Sequence, residues 1–293
     1  MRSILGDADI VRSLVMLLSL RQHLLNGGKS YGPVCMSNSP IVMEILANSG
    51  YNHMIIDHEH APTDIASGQT LLQAIDVVRS TTSNSIFPIV RVPDHSLSYL
   101  KKVLDSMRLP GGVLVPMIED KETAEVVAAA TKYPRQVNSD SSVDGIRGCA
   151  IPFVRASGYG TNPNYMKESD RDLLVMVQVE TSKGVEAIPE ISSVPGIDGI
   201  FIGPFDLSCS IGKTGQFDDP EVKDLIHRAE RMVVESDCFL AGFRSGGRDL
   251  REMYEKDGYS LVCGSIDLGL LKTAALEDAR VANDILHGDK KQK

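Results

Sequence analysis

Two carboxylates, Glu180 and Asp206, stand where a chain can bring them together although 26 positions separate them. Each lies just past a short apolar run, Leu173 to Val179 and Gly199 to Ile202, of the kind that fits a strand buried on both faces. The segment between the runs, Ser182 to Ser193, has the length and apolar spacing of a crossover helix. A strand–helix–strand unit of this sort makes the two strands parallel, with their carboxyl ends on one rim. Two acids sharing a rim repel each other and call for a shared proton or a divalent cation. A cation there would have two hard oxygen ligands and open positions for water and a bidentate substrate, which suits Mg²⁺ or Mn²⁺ better than Zn²⁺ and leaves other divalent metals possible. The plain alternative is a pair of solvated strand-end acids.

His60 closes the polar cluster DHEH directly after the apolar run His53 to Asp57, a setting in which a carboxylate could fix its tautomer and make it a general base. Asp57 and Asp105 are the candidate partners, and His58 reads as a structural neighbour. Arg91 ends a further apolar run, Ile86 to Val92. Its planar fork could hold a substrate carboxylate or a developing enolate, and could at the same time neutralise Asp57 or Glu59. The Gly203-Pro204 turn would aim the backbone N–H groups of Phe205 and Asp206 inward as anion donors, which makes both substrate-binding candidates. Arg147 and Arg155 offer further cationic contacts from a long irregular segment.

Such residues need a scaffold that collects strand ends. Strand candidates fall at Tyr31 to Met36, His53 to Asp57, Ile86 to Val92, Gly112 to Met117, Leu173 to Val179, Gly199 to Ile202, Cys238 to Gly242 and Leu261 to Gly264. Helical patterns separate them at Met43 to Asn48, Gln69 to Arg79, Ser96 to Ser106, Lys121 to Lys132, Ser182 to Ser193 and Leu250 to Lys256. About eight alternations over about 250 residues is the rhythm of an α/β fold of the (β/α)₈ barrel type. A doubly wound sheet would carry a glycine-rich phosphate turn after its first strand, and GPVCMSNSP is not one. No low-complexity linker divides the chain, so residues 1–293 read as one domain, with an N-terminal helix at about 8–26 and a rim loop at about 134–172.

The formal charge of −9, without a basic stripe, argues against nucleic acid or an anionic membrane as partner. Five scattered cysteines without CxxC spacing suggest reduced thiols in the cytoplasm. The run Ser13 to Leu20 is too short to span a bilayer and follows two acids, so an amphipathic helix is expected there and not a signal peptide. The terminal KKQK reads as a solvated tail.

The segments IIDHEHAP, FPIVRVP, LVPMIED, DGIRG, RAS, VQVET and DGIFIGPFDLS, in this order and over roughly residues 20 to 280, resemble the HpcH/HpaI aldolase family, the metal-dependent class II pyruvate aldolases. The resemblance implies a TIM barrel whose last helix is often exchanged with a neighbour, in a homo-oligomer that is commonly a hexamer or trimer of dimers. It implies cleavage or formation of a C–C bond next to a pyruvate unit in 4-hydroxy-2-keto acids, with a 2-keto acid and an aldehyde or other acceptor as small-molecule partners. Glu180 and Asp206 then match the metal ligands, His60 the base, Arg91 the contact to the pyruvate carboxylate or enolate, and Asp57 and Asp105 the acidic partners of the base. A metal acting as Lewis acid on the enolate makes a Schiff-base lysine unnecessary. The same enolate arises from oxaloacetate by loss of CO₂, so decarboxylation is the alternative activity.

The chain departs from the family pattern at MRLPGG, at QVNSDSSV, at Phe205 and in VCMSNSP, which lacks a tryptophan, and these departures bear on the acceptor. A fungal offshoot of the family, macrophomate synthase, joins the enolate of oxaloacetate to a pyrone, and Tyr159 and Arg155 could orient a bulky acceptor of that sort. A barrel kept only for assembly or ligand sensing is the non-catalytic reading, and the intact set His60, Arg91, Glu180 and Asp206 weighs against it.

Overall fold

Strands buried on both faces read as continuous apolar runs, and their side chains still alternate between two environments. In the computed structural model, which describes residues 19–82, 86–134 and 143–287, eight such runs form β1 (Ser30–Cys35), β2 (His53–Asp57), β3 (Phe87–Arg91), β4 (Gly111–Val115), β5 (Leu173–Val179), β6 (Gly199–Ile202), β7 (Phe239–Phe243) and β8 (Tyr259–Ile266). Each pairs in parallel with the next and β8 with β1, closing the expected (β/α)₈ barrel.

One set of strand side chains packs inside the barrel: Val34, Ile55, Ile89, Leu114, Leu174, Met176, Phe201, Ala241 and Leu261. The alternate set, which includes Ile56, Val90, Val113, Val175, Val177, Ile200, Leu240 and Val262, packs outward against the helices. The helix Leu20–Leu25 begins with a reciprocal cap between Ser19 and Gln22 and adds Leu20 and Leu24 to the interior cluster. Arg21 fixes it to Asp198, just ahead of β6, with Nε at 2.9 Å from both carboxylate oxygens. The amino end of the barrel is therefore plugged, and the interior opens at the carboxyl ends of the strands. Residues 1–18, most of the N-terminal helix expected at 8–26, lie outside the described residues, as do most of QVNSDSSV and the terminal KKQK.

Several elements differ from the sequence reading. The crossover Ser182 to Ser193 is two short helices, Ser182–Glu186 and Ile188–Ser192, because Pro189 in the first turn of the second has no N–H to continue the first. The rim segment is not wholly irregular: it holds two 3₁₀ turns, Ile151–Phe153 and Arg155–Ser157, and the helix Tyr165–Asp172. Gly158, Tyr159 and Gly160 all adopt positive φ between them, which breaks any longer period. The helices Pro204–Ser210, Pro220–Val234 and Asp267–His287 complete the fold. Among the described residues no helix is long and apolar enough to cross a membrane.

His53, at the start of β2, is fully buried, with Nδ1 at 2.7 Å from Ser30 Oγ and Nε2 at 3.5 Å from Cys263 Sγ. Burial lowers its pKa to about 3. The unfolded chain takes up this proton near pH 6.5 and the folded chain resists, so the stabilising contribution is complete above about pH 6.5 and is lost as pH falls toward 3, by about 1.4 kcal/mol per pH unit. Urea midpoints measured from about pH 7.5 to about pH 5 should therefore fall less steeply for His53→Gln than for the wild type, and equal slopes would contradict the assignment.

Candidate active site

Alternation by twos decides which side chains reach the open end. In β5, Leu174 and Met176 face inward, so Gln178 and the following Glu180 continue the same row. In β2 and β3 the inward rows of Ile55 and Ile89 end in Asp57 and Arg91, which are register partners. That register produces a bidentate pair: Arg91 Nε and Nη2 each donate to an Asp57 oxygen at 2.8 Å. Asp57 is fully buried and also accepts from the backbone N–H of Glu59 at 3.0 Å and of His60 at 3.3 Å. Its charge is thus matched on every side, and removal of either partner would leave a buried charge uncompensated. Arg91 Nη1 lies 3.1 Å from Glu59 Oε2, so the guanidinium neutralises both acids, as its position allows.

Glu180 is buried against the cavity wall. Its Oε1 accepts from the backbone N–H of Met117 at 2.8 Å, and its Oε2 accepts a short bond from the Gln178 amide. Met117 holds a φ of 56°, uncommon for a residue with a side chain, in the turn that presents this N–H. Burial pushes the Glu180 pKa up to about 7; the charges of Glu59 and Asp206 add to the rise, and the two hydrogen bonds oppose it. Burial likewise raises Glu59 to about 7, against the pull of Arg91 and with help from Asp57 and Asp206. Gly203 is required where the chain passes Glu180, since a Cβ there would stand 2.8 Å from Glu180 Oε2 and 2.9 Å from its Cβ.

Asp206 is exposed in the first turn of the helix Pro204–Ser210. The first N–H to bond back into that helix is Leu207, to Gly203 O at 3.0 Å, which leaves those of Phe205 and Asp206 without intrahelical acceptors. Phe205 packs edge-on to Phe217 with ring centres 6.0 Å apart. A cavity of about 720 Å³ joins these parts, lined by Arg91, Gln178, Gly203, Phe205 and Asp206, with His60 at its edge and apolar walls from Val34, Ile55, Leu114 and Phe201.

The expected partners of His60 are arranged differently. Its ring is exposed, and its carboxylate neighbour is Glu59, with Nε2 to Oε2 at 3.7 Å. Asp57 contacts the His60 backbone only, its side-chain capacity being taken by Arg91. Asp105 is bound to Arg147 at 2.8 Å, and Arg147 is buried over the Tyr133 ring, 4.5 Å from its centre. Arg155 is buried as well, bonded to Asp76 and to Ser106 O. Asp105, Arg147, Arg155 and Tyr159 therefore do not line this cavity. The rim segment that carries the two arginines fastens to the helices Leu97–Ser106 and Ile65–Thr81 on the outside of the barrel.

The sequence reading missed Gln178 and Arg244. A lone amide in an otherwise apolar strand, two positions before Glu180, was the available signal for the first. Among the described residues Gln178 Oε1 is buried without a hydrogen-bond partner, so next to Glu180 there is a further oxygen in need of a donor or a positive ligand. Hard oxygens of this kind fit a divalent cation. Among the described residues no three His, Cys, Asp or Glu side chains gather for a metal.

A closed parallel barrel with its polar residues collected at the carboxyl ends of the strands is the architecture of an enzyme. The HpcH/HpaI aldolase/citrate lyase family model matches residues 34–256, and the chain belongs to that family, a carbon–carbon lyase by class. It is 34% identical over 258 residues to a hydroxypyruvate/pyruvate aldolase of Deinococcus radiodurans, covering 87% of this chain and 86% of that one. A crystal structure of an HpcH/HpaI aldolase/citrate lyase family protein from Burkholderia cenocepacia superposes with a TM-score of 0.82 at 30% identity, covering 90% of this chain and 98% of that chain. Macrophomate synthase shares the fold, with a TM-score of 0.73 at 21% identity over 92% of this chain and 91% of that chain.

Proposed function

We propose that the chain, acting as one barrel domain, is a divalent-metal-dependent class II pyruvate aldolase that cleaves or forms the C–C bond of 4-hydroxy-2-keto acids through a pyruvate enolate. The observation that carries the reading is that Asp206 and Arg91 line one cavity while Glu180 is buried behind Gln178 and Gly203 of its wall, without an ion-pair partner among the described residues. Glu180 and Asp206 would hold Mg²⁺ or Mn²⁺ with Gln178 Oε1 beside them, and the bound cation would supply Lewis-acid stabilisation of an enolate oxygen.

The protein's own groups then have distinct tasks. Arg91 spends two of its five N–H donors on Asp57 and stands in ion-pair contact with Glu59, which fixes the fork and leaves donors for a substrate oxygen. The free N–H groups of Phe205 and Asp206 suit the carboxylate of a keto acid. His60, at the mouth, would take the proton of the 4-hydroxyl in cleavage, and Glu59 beside it would steady the imidazolium. The apolar walls limit water around the carbanionic carbon.

The helix Asp267–His287 exposes Leu268, Leu270, Leu271, Leu276, Val281, Ile285 and Leu286. An apolar surface of that extent marks an interface. It supports a homo-oligomer, a hexamer or trimer of dimers, and a monomer mass in sedimentation velocity at micromolar protein would contradict it. The five thiols are free, which suits a cytoplasmic setting.

The function is tested with protein stripped by EDTA and assayed on a 4-hydroxy-2-keto acid and on oxaloacetate, before and after addition of Mg²⁺ or Mn²⁺. Metal should restore release of pyruvate and aldehyde. Glu180→Gln and Asp206→Asn should abolish the restored rate, and His60→Ala should keep metal binding and lose about 10²-fold or more in rate. Metal-restored CO₂ release without aldehyde would favour the decarboxylase, and a wild-type rate in either carboxylate variant would sink the assignment.

A further inference from the structure

Arg91 and Arg244 line the cavity with forks fixed by hydrogen bonds, to Asp57 and to Arg248 O. His60 is different: its ring is exposed at the cavity edge, and its charged neighbour, Glu59, is 3.7 Å away. A contact of that length does not fix an exposed imidazole, so its place is set by the loop that carries it. That loop leaves β2 after Asp57 and enters the helix Ile65–Thr81 at its cap, Asp64. Toward its end Asn38 Nδ2 donates to Pro62 O at 3.0 Å, and at its start the N–H groups of Glu59 and His60 reach back to Asp57. The side chain that fastens it to the helices around the barrel is His58.

Alternation sends His58 outward when Asp57 faces the cavity. Its backbone N–H donates to Arg91 O at 2.9 Å and so prolongs the pairing of β2 with β3. Its ring is buried between two outer helices. On one of them, Leu97–Ser106, Tyr99 OH lies 3.0 Å from Nδ1, with the two rings edge-on and their centres 5.9 Å apart. On the other, Ile65–Thr81, the imidazole takes the space of a side chain, because a Cβ on Gly68 would collide with it.

This arrangement costs stability twice. A glycine inside a helix is unfavourable relative to alanine, and His58 Nε2 is buried with no hydrogen-bond partner among the described residues. A leucine at 58 would leave no bare nitrogen, so the filling of space does not account for the imidazole. Burial holds its pKa below the usual histidine value against the pull of Asp57 and Asp64, so the ring is neutral at pH 7 and its task is not a charge. What it adds is a rigid ring bonded to Tyr99.

Resting on the aldolase reading, we infer that His58 is a positioning residue for the base: wedged between Gly68 and Tyr99, it pins the loop that sets the His60 imidazole at the cavity edge. The two reactions open to the site need this pin unequally. In cleavage the 4-hydroxyl gives its proton to His60 while the C3–C4 electron pair passes to the enolate and the aldehyde leaves. In oxaloacetate the C3–C4 pair passes to the same enolate as the terminal carboxylate leaves as CO₂, and there is no hydroxyl proton to remove. A displaced loop slows the first reaction and spares the second, whereas a general loosening of the barrel slows both.

The test assays the full chain with Mg²⁺ on a 4-hydroxy-2-keto acid and on oxaloacetate, and follows hydrogen–deuterium exchange of residues 58–64 by mass spectrometry. His58→Leu should lower kcat for cleavage about tenfold or more with KM little changed, keep kcat for decarboxylation, and speed exchange in 58–64. Tyr99→Phe should act in the same direction, and His58→Asn, which keeps a polar atom near the place of Nδ1, should recover part of the loss. Gly68→Ala favours the helix by propensity yet displaces the ring, so it should slow cleavage, and combined with His58→Ala it should add nothing to the loss of His58→Ala alone. Equal losses in both reactions, or cleavage at the wild-type rate in His58→Leu, overturns the inference. A wild type without metal-restored cleavage refutes the aldolase reading, and exchange then decides on the pin by itself: faster exchange in the variants keeps it, and unchanged exchange removes it.

Discussion

Three carboxylates, Asp57, Glu59 and Glu180, lie within electrostatic reach of the Arg91 guanidinium at the end of an apolar barrel, and a fourth, Asp206, lines the same cavity. Only Asp57 is fully answered, by the paired bonds from Arg91 and by two backbone N–H groups. Burial, with repulsion from neighbouring acids added, holds both Glu59 and Glu180 up to about 7, so near neutrality these groups are poised between taking a proton and meeting a cation. The local devices follow from that imbalance. Met117 takes an unfavourable φ to place an N–H on Glu180, Gln178 turns its amide to the same acid and leaves its oxygen bare, and Gly203 gives up a side chain to let the carboxylate lie against it.

The barrel makes the imbalance tolerable by separating tasks along its axis. At the amino end, Leu20 and Leu24 seal the interior and Arg21 locks the plug to Asp198. Layers of branched and aromatic side chains fill the middle, so strand positions at the open end are held by packing that the charged groups do not supply. Register then turns sequence into geometry. Asp57 opposite Arg91, and Gln178 two before Glu180, are consequences of parallel pairing and alternation by twos.

The same rules explain what could be read from the sequence. β2, β5 and β6 were legible to the residue because an apolar run stops abruptly at a charge or a Gly-Pro turn, and those stops lie at the open end of the barrel. That Arg91 would neutralise Asp57 or Glu59 was legible for the same reason, and it pairs with both. Asp105 projects from the helix Leu97–Ser106 to Arg147, and an acid on an outer helix has no period that reveals its partner. Arg147 and Arg155 could be read as able to meet an anionic substrate because a long loop hides where it folds back. Arg244 escaped because β7 runs one residue beyond Gly242, so the rim position falls later than its apolar core suggests. The helix Pro220–Val234 did have a signal, Asp219 as cap followed by Pro220 and Glu221.

We propose that this rim makes a pyruvate enolate with a divalent cation held by Glu180 and Asp206. Exchange of the pyruvate methyl protons for deuterium in D₂O, followed by NMR, reads that step without any acceptor. EDTA-stripped protein should leave the methyl signal intact, and Mg²⁺ or Mn²⁺ should restore its loss in the wild type and not in Glu180→Gln. Exchange at an undiminished rate in the stripped protein, or none with any divalent metal in a folded wild type, would contradict the account.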